Sequence, residues 1–187
     1  MELYIDQTYH LDSLPSVQAA EFENCHFQLI DFSNYSLNNY RFFDCQFSHC
    51  NFSLLQLVNS SFRNIEFNEC KLLGLRFEQC QEFGTSMIFK KCILNHSSFY
   101  KIKAKNTVFN ECSMVEVDFT SADLTGSIFD NCDLSNAQFD QTNLEKTDFT
   151  NALNFNINPT TNKVRKAKFT RNNLIGLVQN LGIIITP

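Results

Sequence analysis

A large apolar residue returns at every fifth position through most of this chain. A first run extends from Phe22 to Phe77, and a second from Phe89 to Phe149 is broken in size only by Ala104. Sixteen of the twenty phenylalanines occupy this one slot, which we call the centre of each unit. Because an α-helix repeats at about 3.6 residues and a strand at 2, this period predicts one structural unit per pentapeptide, stacked as in a solenoid.

The residue two before each centre is small or apolar in most units, for example Ala20, Ile30 and Val117. Residues two apart on a strand share a face, so this slot and the centre should both point inward. Many cysteines also occupy this slot. A disulfide requires Cβ vectors that converge, whereas cysteines stacked in a β-ladder have parallel ones, and no short Cys–His spacing indicates a zinc site. We therefore expect reduced thiols that pack as small apolar groups. The cysteines in the inward slot are Cys25, Cys45, Cys50, Cys70, Cys80, Cys92, Cys112 and Cys132.

The stacking of like residues sets the number of sides in one coil. Phenylalanine alternates with a smaller centre in the second run, so a coil of twenty residues places Phe over Phe, whereas three sides would place Phe over Leu. Cysteines such as Cys25 and Cys45 are also twenty apart. We therefore predict an all-β, right-handed quadrilateral β-helix, with the handedness of parallel β connections. Six or seven coils at roughly 4.8 Å each make a rod of about 30 Å.

Several units share a more specific motif. Residues 122–126, 132–136 and 147–151 resemble the A-(D/N)-L-x-x motif of the pentapeptide repeat family. The resemblance covers roughly residues 20–155 and implies the β-helical fold. The resemblance says less about function, because proteins with one fold can have many different functions.

The repeat divides the 187 residues into three parts. We expect an N-terminal cap at 1–19, the pentapeptide repeat β-helix at 20–155, and at 156–187 a loop, a last coil and a C-terminal cap or dimerisation element. Twelve residues instead of ten separate the two runs, so the slip at 78–88 predicts a bulge or small loop. From Asn154 to Asn162 a second break places Pro159 on a centre, which predicts a loop that leaves the coil and returns.

Nothing in the sequence favours catalysis. The four histidines lie in different units, and metalloprotease, nucleophile-elbow, Walker and dinucleotide-binding motifs are absent. We therefore predict a protein that is not an enzyme and has no cofactor and no metal site. Neither a signal peptide nor an apolar stretch of about 18 residues occurs, so we expect a soluble, cytoplasmic protein without a membrane partner.

Charge is strongly segregated along the chain. Residues 90–105 hold five bases and no acid, 106–162 hold nine acids and one base, and 163–171 hold five bases. Nine carboxylates over three coils, about 14 Å, approach the roughly one charge per 1.7 Å of duplex DNA and suggest DNA mimicry. The alternative is a charged solvating surface, because the acids fall on all four sides. The candidate partner-binding acids are Glu111, Glu116, Asp118, Asp123, Asp130, Asp133, Asp140, Glu145 and Asp148.

The C-terminal segment departs from the repeat. Asn172 and Asn173 offer a helix N-cap, Gly182 supplies the C-terminal stop, and an isoleucine triplet predicts a final strand. A solenoid end must be capped, but the surplus apolar surface would also suffice to join two chains, and the sequence leaves both open. The candidate cap or dimer residues are Leu174, Ile175, Leu177, Val178, Leu181, Ile183, Ile184 and Ile185.

The tail adds a narrower resemblance. Residues 173–185, with the spacing of residues 50–92, resemble the Qnr quinolone-resistance branch, whose members are dimers that protect DNA gyrase and topoisomerase IV. This resemblance implies a protein partner, DNA gyrase or topoisomerase IV, and a homodimer formed through the tail. Direct nucleic-acid binding is not expected, because no exposed aromatics interleave with the bases. The alternative is a scaffold or binding module for another cytosolic protein, unrelated to DNA topology.

Overall fold

The computed structural model describes residues 1–11, 19–84 and 87–183 as a parallel β-solenoid with almost no helix. The strands are β1 (Glu2–Ile5), β2 (Thr8–His10), β3 (Ala20–Glu23), β4 (His26–Gln28), β5 (Arg41–Phe43), β6 (Gln46–Ser48), β7 (Ser61–Arg63), β8 (Glu66–Asn68), β9 (Glu82–Phe83), β10 (Ile88–Lys90), β11 (Val108–Asn110) and β12 (Ile128–Asp130). One helix, α1 (Ile175–Val178), and two 3-10 turns, Phe77–Gln79 and Gln179–Leu181, complete the described elements.

Two sides of the coil carry continuous parallel sheets. The seven-stranded sheet has the order β12-β11-β10-β8-β6-β4-β2, and the five-stranded sheet has the order β1-β3-β5-β7-β9. Paired residues are twenty apart over most of the chain, as in Phe22–Phe42 and Phe109–Phe129. This register confirms the predicted all-β quadrilateral β-helix, with four pentapeptides in each coil.

We number the sides by the centres of one coil. Side 1 holds Phe109 and the seven-stranded sheet, side 2 holds Met114, side 3 holds Phe119, and side 4 holds Leu124. The five-stranded sheet belongs to side 4, which continues through 102–106, 122–126, 142–146 and 162–166. Strand β9 and residues 102–106 lie on the same side because the residues on either side of them are paired. Arg76 pairs with Ser98 just before these two segments, and Ile88 pairs with Val108 just after them.

Stacked aromatic rings fill the core. On side 1 nine rings, from Tyr9 through Phe27 to Phe169, stack with centroids 4.7 to 5.3 Å apart. Rings on opposite sides 1 and 3 meet edge to face across the core, as Phe99 and Phe109 do at 5.9 Å and 89°. Both geometries are favourable for aromatic pairs, and the predicted stacking of Phe on Phe is confirmed.

The inward slot has a hydrogen-bonding role as well as an apolar one. Cys45 Sγ donates to the carbonyl of Phe22 at 3.4 Å, and Thr147 Oγ1 donates to the carbonyl of Leu124 at 2.8 Å. In both cases the acceptor is the centre one coil below and one unit back. Cys, Ser and Thr can therefore each supply a donor to a buried carbonyl at this slot, although among the described residues the buried hydroxyls of Ser97 and Thr107 make no hydrogen bond.

The corners of the coil use left-handed backbone. Among the described residues, twenty-four that are not glycine have positive φ, and all but Asn154 of these lie two positions after a centre. An L residue pays roughly 1–2 kcal/mol for this conformation. The amide there donates to the next coil, as Glu111 does to the Asp130 carbonyl at 2.8 Å, which offsets part of that cost.

The slip between the two runs is spread over two places. The offset between paired residues rises from twenty to twenty-one at Ser61–Glu82 and to twenty-two at Phe67–Phe89. The first added residue lies between Cys80 and Glu82, just after the 3-10 turn at Phe77–Gln79. The second lies between Phe83 and Phe89, where residues 85 and 86 of the predicted bulge or small loop are outside the described part of the chain. Phe83 is paired with Phe62 and occupies a centre that the count of five had missed.

The segment from Asn154 to Asn162 stays within its coil, which corrects the expectation of a loop that leaves it. Lys163 pairs with Asn143 at the regular offset of twenty, so no residue has been added. Ile157 is fully buried, and Asn162, in an inward slot, donates to the Phe139 carbonyl at 2.9 Å.

Candidate interaction surfaces

The nine predicted acids are spread over all four sides of the rod. None of them lies directly above another, because no two are twenty residues apart. Side 1 holds Glu111, Asp130 and Asp148, side 2 holds Glu116 and Asp133, side 3 holds Asp118 and Asp140, and side 4 holds Asp123 and Glu145. The structure therefore does not bring them together into one stripe.

Four of these aspartates hold the turns of the coil. Each lies immediately before a centre and accepts from the amide two residues later, as Asp118 does from Thr120 at 2.8 Å. Asp133 accepts from both the amide and the hydroxyl of Ser135, at 3.1 and 2.6 Å. The other two are Asp123 and Asp148. The D of the repeat motif is thus a turn residue, with the geometry of an Asx turn.

Ion pairs add to this role at two of the four. Lys105 Nζ lies 3.2 Å from Asp123 Oδ2, and Lys168 Nζ lies 2.9 Å from Asp148 Oδ2. Partial burial by itself raises the pKa of Asp123, but the hydrogen bonds from Thr125 and the Lys105 ammonium outweigh it and lower the pKa below its usual value. The same balance holds the pKa of Asp148 low. Both side chains are therefore ionised at neutral pH.

The other acids differ in how far they are engaged. Asp130 accepts from three asparagine amides, and Glu116 Oε2 lies 3.2 Å from His96 Nδ1. Within 1–11, 19–84 and 87–183, no hydrogen bond or ion pair holds the side chains of Glu111, Asp140 and Glu145. These three carboxylates are the ones most available to a partner.

The bases gather on one side, which the sequence analysis missed. Of the bases between residues 90 and 171, six lie on side 4, where only Asp123 and Glu145 oppose them. We call this set the basic half of side 4: Lys103, Lys105, Lys146, Lys163, Arg165 and Lys166. Lys146, Arg165 and Lys166 line a shallow depression of about 290 Å³ with Glu145.

The clustering of bases on side 4 could have been predicted from the twenty-residue length of the coil. Lys103 and Lys163 are sixty residues apart, as are Lys105 and Arg165, so each pair lies in one column three coils apart. In the linear sequence these residues belong to two separate clusters with an acidic block between them. Only the coil length, applied to charge as well as to Phe, predicts that they share a side.

A compact cap closes the C-terminal end. Helix α1 lies over Phe155, and the amide of Ile157 donates to the carbonyl of Gly176 at 2.8 Å. The predicted N-cap is wrong, because α1 has no side-chain cap. Asn173 instead donates to the Phe149 carbonyl at 2.8 Å and accepts from the Thr170 amide, so it caps the coil rather than the helix.

The candidate cap or dimer residues divide into two groups. Leu177 packs against the core and Val178 is half-buried. The exposed group is Leu174, Ile175, Leu181 and Ile183, with 45% to 59% of each side chain accessible. Gly182 adopts the predicted left-handed conformation, with φ of 63°. Ile184 and Ile185, and with them most of the predicted final strand, lie outside the described residues.

The described part of the chain offers no constellation for chemistry. All eight cysteines are free thiols, seven of them buried, and no group of three or more His, Cys, Asp or Glu in the described ranges is placed to hold a metal ion. Burial raises the pKa of Cys45 to about 12 and that of half-buried Cys80 to about 12. Among the described residues, no helix has the length and apolar character that a membrane span requires.

Comparison with known proteins agrees with this architecture. Residues 75–149 match the family model of the pentapeptide repeat region. No curated protein sequence gives a significant match. The comparisons indicate no catalytic family.

Solved structures extend the likeness to the full length. Two structures of trypsin-treated QnrB1 variants, described as a plasmid-mediated fluoroquinolone resistance protein, cover 100% of this chain and 99% of their own. Their TM-scores are 0.59 and 0.60, at 18% and 17% identity, and they show a shared fold. The chain therefore contains a pentapeptide repeat region at residues 75–149, and its four-sided coil has the fold of these solved pentapeptide repeat structures.

Proposed function

We propose that this protein is a non-enzymatic, rod-like interaction module whose partner is a type II topoisomerase, DNA gyrase or topoisomerase IV. One observation carries the proposal: sides 2 and 3 adjoin each other and hold Glu116, Asp118, Asp133 and Asp140, with Lys101 as their single base between residues 92 and 161. Such a face presents carboxylates to a basic DNA-binding surface, in the manner of a DNA mimic. The fold shared with QnrB1, a fluoroquinolone resistance protein, supports the choice of partner.

The exposed apolar group of the cap supports a homodimer through the C-terminal tail. Leu174, Ile175 and Leu181 leave about half of each side chain accessible next to a rod end, and apolar surface of this kind favours association. Two rods joined there would present twice the length of acidic face. A symmetric dimer needs only this one patch on each chain.

The main experiment is gyrase supercoiling inhibited by a quinolone, with the protein titrated over a wide range. We expect the protein to change the extent of inhibition. An Asp118→Asn/Asp140→Asn variant should weaken that effect, because asparagine retains the turn hydrogen bond at position 118 but removes the charge. Asp123→Asn, on the basic side 4, is the matched control and should act as wild type. No effect of the wild-type protein at any ratio would exclude the topoisomerase proposal.

The second candidate function is a scaffold for another cytosolic protein. The four aspartates that form turns favour this candidate. Their role in the turn already accounts for their presence, so their charge need not be explained by binding to a topoisomerase. A pull-down that recovers an unrelated protein and no gyrase subunit would support this candidate.

The tail dimer has its own test. Light scattering of the full chain should give twice the monomer mass, and the chain ending at Arg171 should give the monomer mass. Since truncation also removes the cap, Leu181→Glu provides a folded comparison, because that side chain is 59% exposed. Equal mass per particle for all three proteins would contradict the tail dimer.

A further inference from the structure

Side 4 changes sign along the rod. Its N-terminal half holds two bases, Arg41 and Arg63, against five acids, which are Glu2, Asp6, Glu21, Glu23 and Asp44. The basic half of side 4, defined above, holds six bases against two acids. One side of the rod therefore carries a net charge of −3 at its N-terminal end and +4 at its C-terminal end, counting the side chains that the structure describes.

The two opposite net charges lie far apart within one molecule, although single pairs such as Arg41 and Glu21, 3.6 Å apart, form within each half. Seven coil steps separate the level of Glu21 from that of Lys163, which at about 4.8 Å each is about 34 Å. This distance exceeds the Debye length of about 8 Å at physiological salt. The two ends of side 4 therefore do not neutralise each other within one chain.

We propose that side 4 binds side 4 of a second copy of this chain, with the two rods antiparallel. A two-fold axis perpendicular to the rods then brings the acidic half of each copy over the basic half of the other. The contact is isologous, so the same patch serves both copies and the assembly closes at two. It is separate from the tail, which lies at the end of the rod.

One register satisfies several levels at once. When Glu21 and Glu23 face the level of Lys163 and Arg165, the Arg63 level faces that of Asp123. The level between them pairs Arg41 and Asp44 with Glu145 and Lys146, so each sign again finds its opposite. A shift by one coil in one direction would instead place Arg63 opposite Lys103 and Lys105, and a shift in the other direction would place Arg41 opposite Lys163 and Arg165. Like-charge repulsion disfavours both.

An outward-facing aromatic residue strengthens the contact. Phe43 lies outside the repeat slot and points out of side 4, with the Arg63 guanidinium 4.8 Å from its ring centroid. Its side chain is half-buried before any partner binds. Aromatic and arginine side chains of this kind commonly anchor interfaces.

A long polyanion fits side 4 less well than a second copy does. Duplex DNA or an acidic polypeptide lying along the whole side would meet the bases at one end and Glu21, Glu23 and Asp44 at the other. It would also approach the acids of the adjoining side 3. A second copy is acidic only where this chain is basic.

Charge reversal tests the proposal. Mass is measured by sedimentation at about 50 mM and about 500 mM salt in the Leu181→Glu background, which removes the contribution of the tail. We expect a dimer at low salt and at least a tenfold weaker one at high salt, because the surface charges are then screened. E21K/E23K and K163E/R165E/K166E should each be monomeric. Their equimolar mixture should regain the dimer, since each reversed half then meets its complement.

Three outcomes would overturn the inference. Self-association that changes neither with salt nor with either charge reversal would show that the contact lies elsewhere. A mixture that stays monomeric, although both variants melt cooperatively, would contradict antiparallel pairing. Capture of a polyglutamate or duplex DNA probe by the basic half, with no self-association at any concentration, would show that the occupant is a foreign polyanion.

Discussion

Gly176 of helix α1 rests directly on the ring and carbonyl of Phe155. A Cβ at this position would lie no more than 2.6 Å from three atoms of Phe155. Only glycine lets the helix approach this closely and keep the hydrogen bond from Ile157. The close packing of the cap therefore depends on the absence of a side chain at position 176.

Gly176→Ala should destabilise the protein, although alanine is favoured over glycine in helices by about 1 kcal/mol. Overpacking of this kind typically costs about 1–3 kcal/mol, so the net sign is unfavourable. Urea unfolding at pH 7 measures it. Gly182→Asn is the control, since a Cβ there has nothing within 4 Å and asparagine tolerates positive φ. An unchanged midpoint for Gly176→Ala would mean that the cap is not held against Phe155.

Phe109→Ala should cost about 3–5 kcal/mol, the usual range for a buried phenylalanine. Its ring is fully buried and lies between Phe89 and Phe129, at 5.1 and 4.9 Å. Chemical unfolding compares it with Phe43→Ala, where an outward ring is removed and the loss should stay near 1 kcal/mol. Equal losses for the two variants would contradict a core built on stacked centres.

Acid should destabilise the fold partly through Asp133. Partial burial raises its pKa, but hydrogen bonds from Ser135 and Asn154 outweigh this and hold the pKa below its usual value. A lowered folded pKa contributes stability above the unfolded pKa of about 3.9, and that stability is lost as the pH falls through the folded pKa. Asp133→Asn, which cannot titrate, should therefore lose stability less steeply between pH 4 and pH 2 than wild type.

Unfolding free energies at pH 7, 4 and 2.5 provide the measurement. Asp133→Ala removes the acceptor of the turn and should cost about 1 kcal/mol at pH 7. Asp133→Asn should cost less there, because Asn143 already accepts from the Glu145 amide at the equivalent position. Identical acid slopes for wild type and Asp133→Asn would show that this carboxylate does not contribute.

Thiol alkylation should be slow in the folded protein. Seven of the eight cysteines are buried, and burial raises the pKa of Cys80, the half-buried one, to about 12. At pH 8 the reactive thiolate of Cys80 is then about one part in ten thousand. Mass spectrometry after a short maleimide pulse should find Cys80 modified first, and all eight after denaturation. Rapid native labelling of Cys112 would contradict its place in the core.

The centres could be predicted from the sequence because steric fit allows few alternatives in a narrow core. The count of five failed at Phe83, since Gln81 adds one residue before it and the period carries no information about where a coil stretches. Positive φ at the corners was not foreseen either. Lys146, Glu116 and Leu54 share that conformation without sharing any chemistry, because backbone hydrogen bonds impose it.

The surfaces were predictable to a lesser degree. The acids could be assigned to sides by counting, but the turn-forming role of Asp118 depends on a contact with Thr120 that spacing alone does not reveal. Asn173 was assigned to the helix on its identity, whereas its side chain joins the Phe149 carbonyl in the coil beneath to the Thr170 amide. A contact between coils, which local sequence preference does not reveal, therefore decided the role of this residue.

The offset of twenty residues that holds over most of the chain has a consequence for how such a gene changes. Recombination between two gene copies that are misaligned by one coil deletes or duplicates twenty residues. The residues on either side of the junction can then still pair in the same register. The protein becomes one step shorter or longer while every surviving residue keeps its side. Because each charged residue also keeps its side, this route changes the length of a binding face without moving its remaining charges to another side.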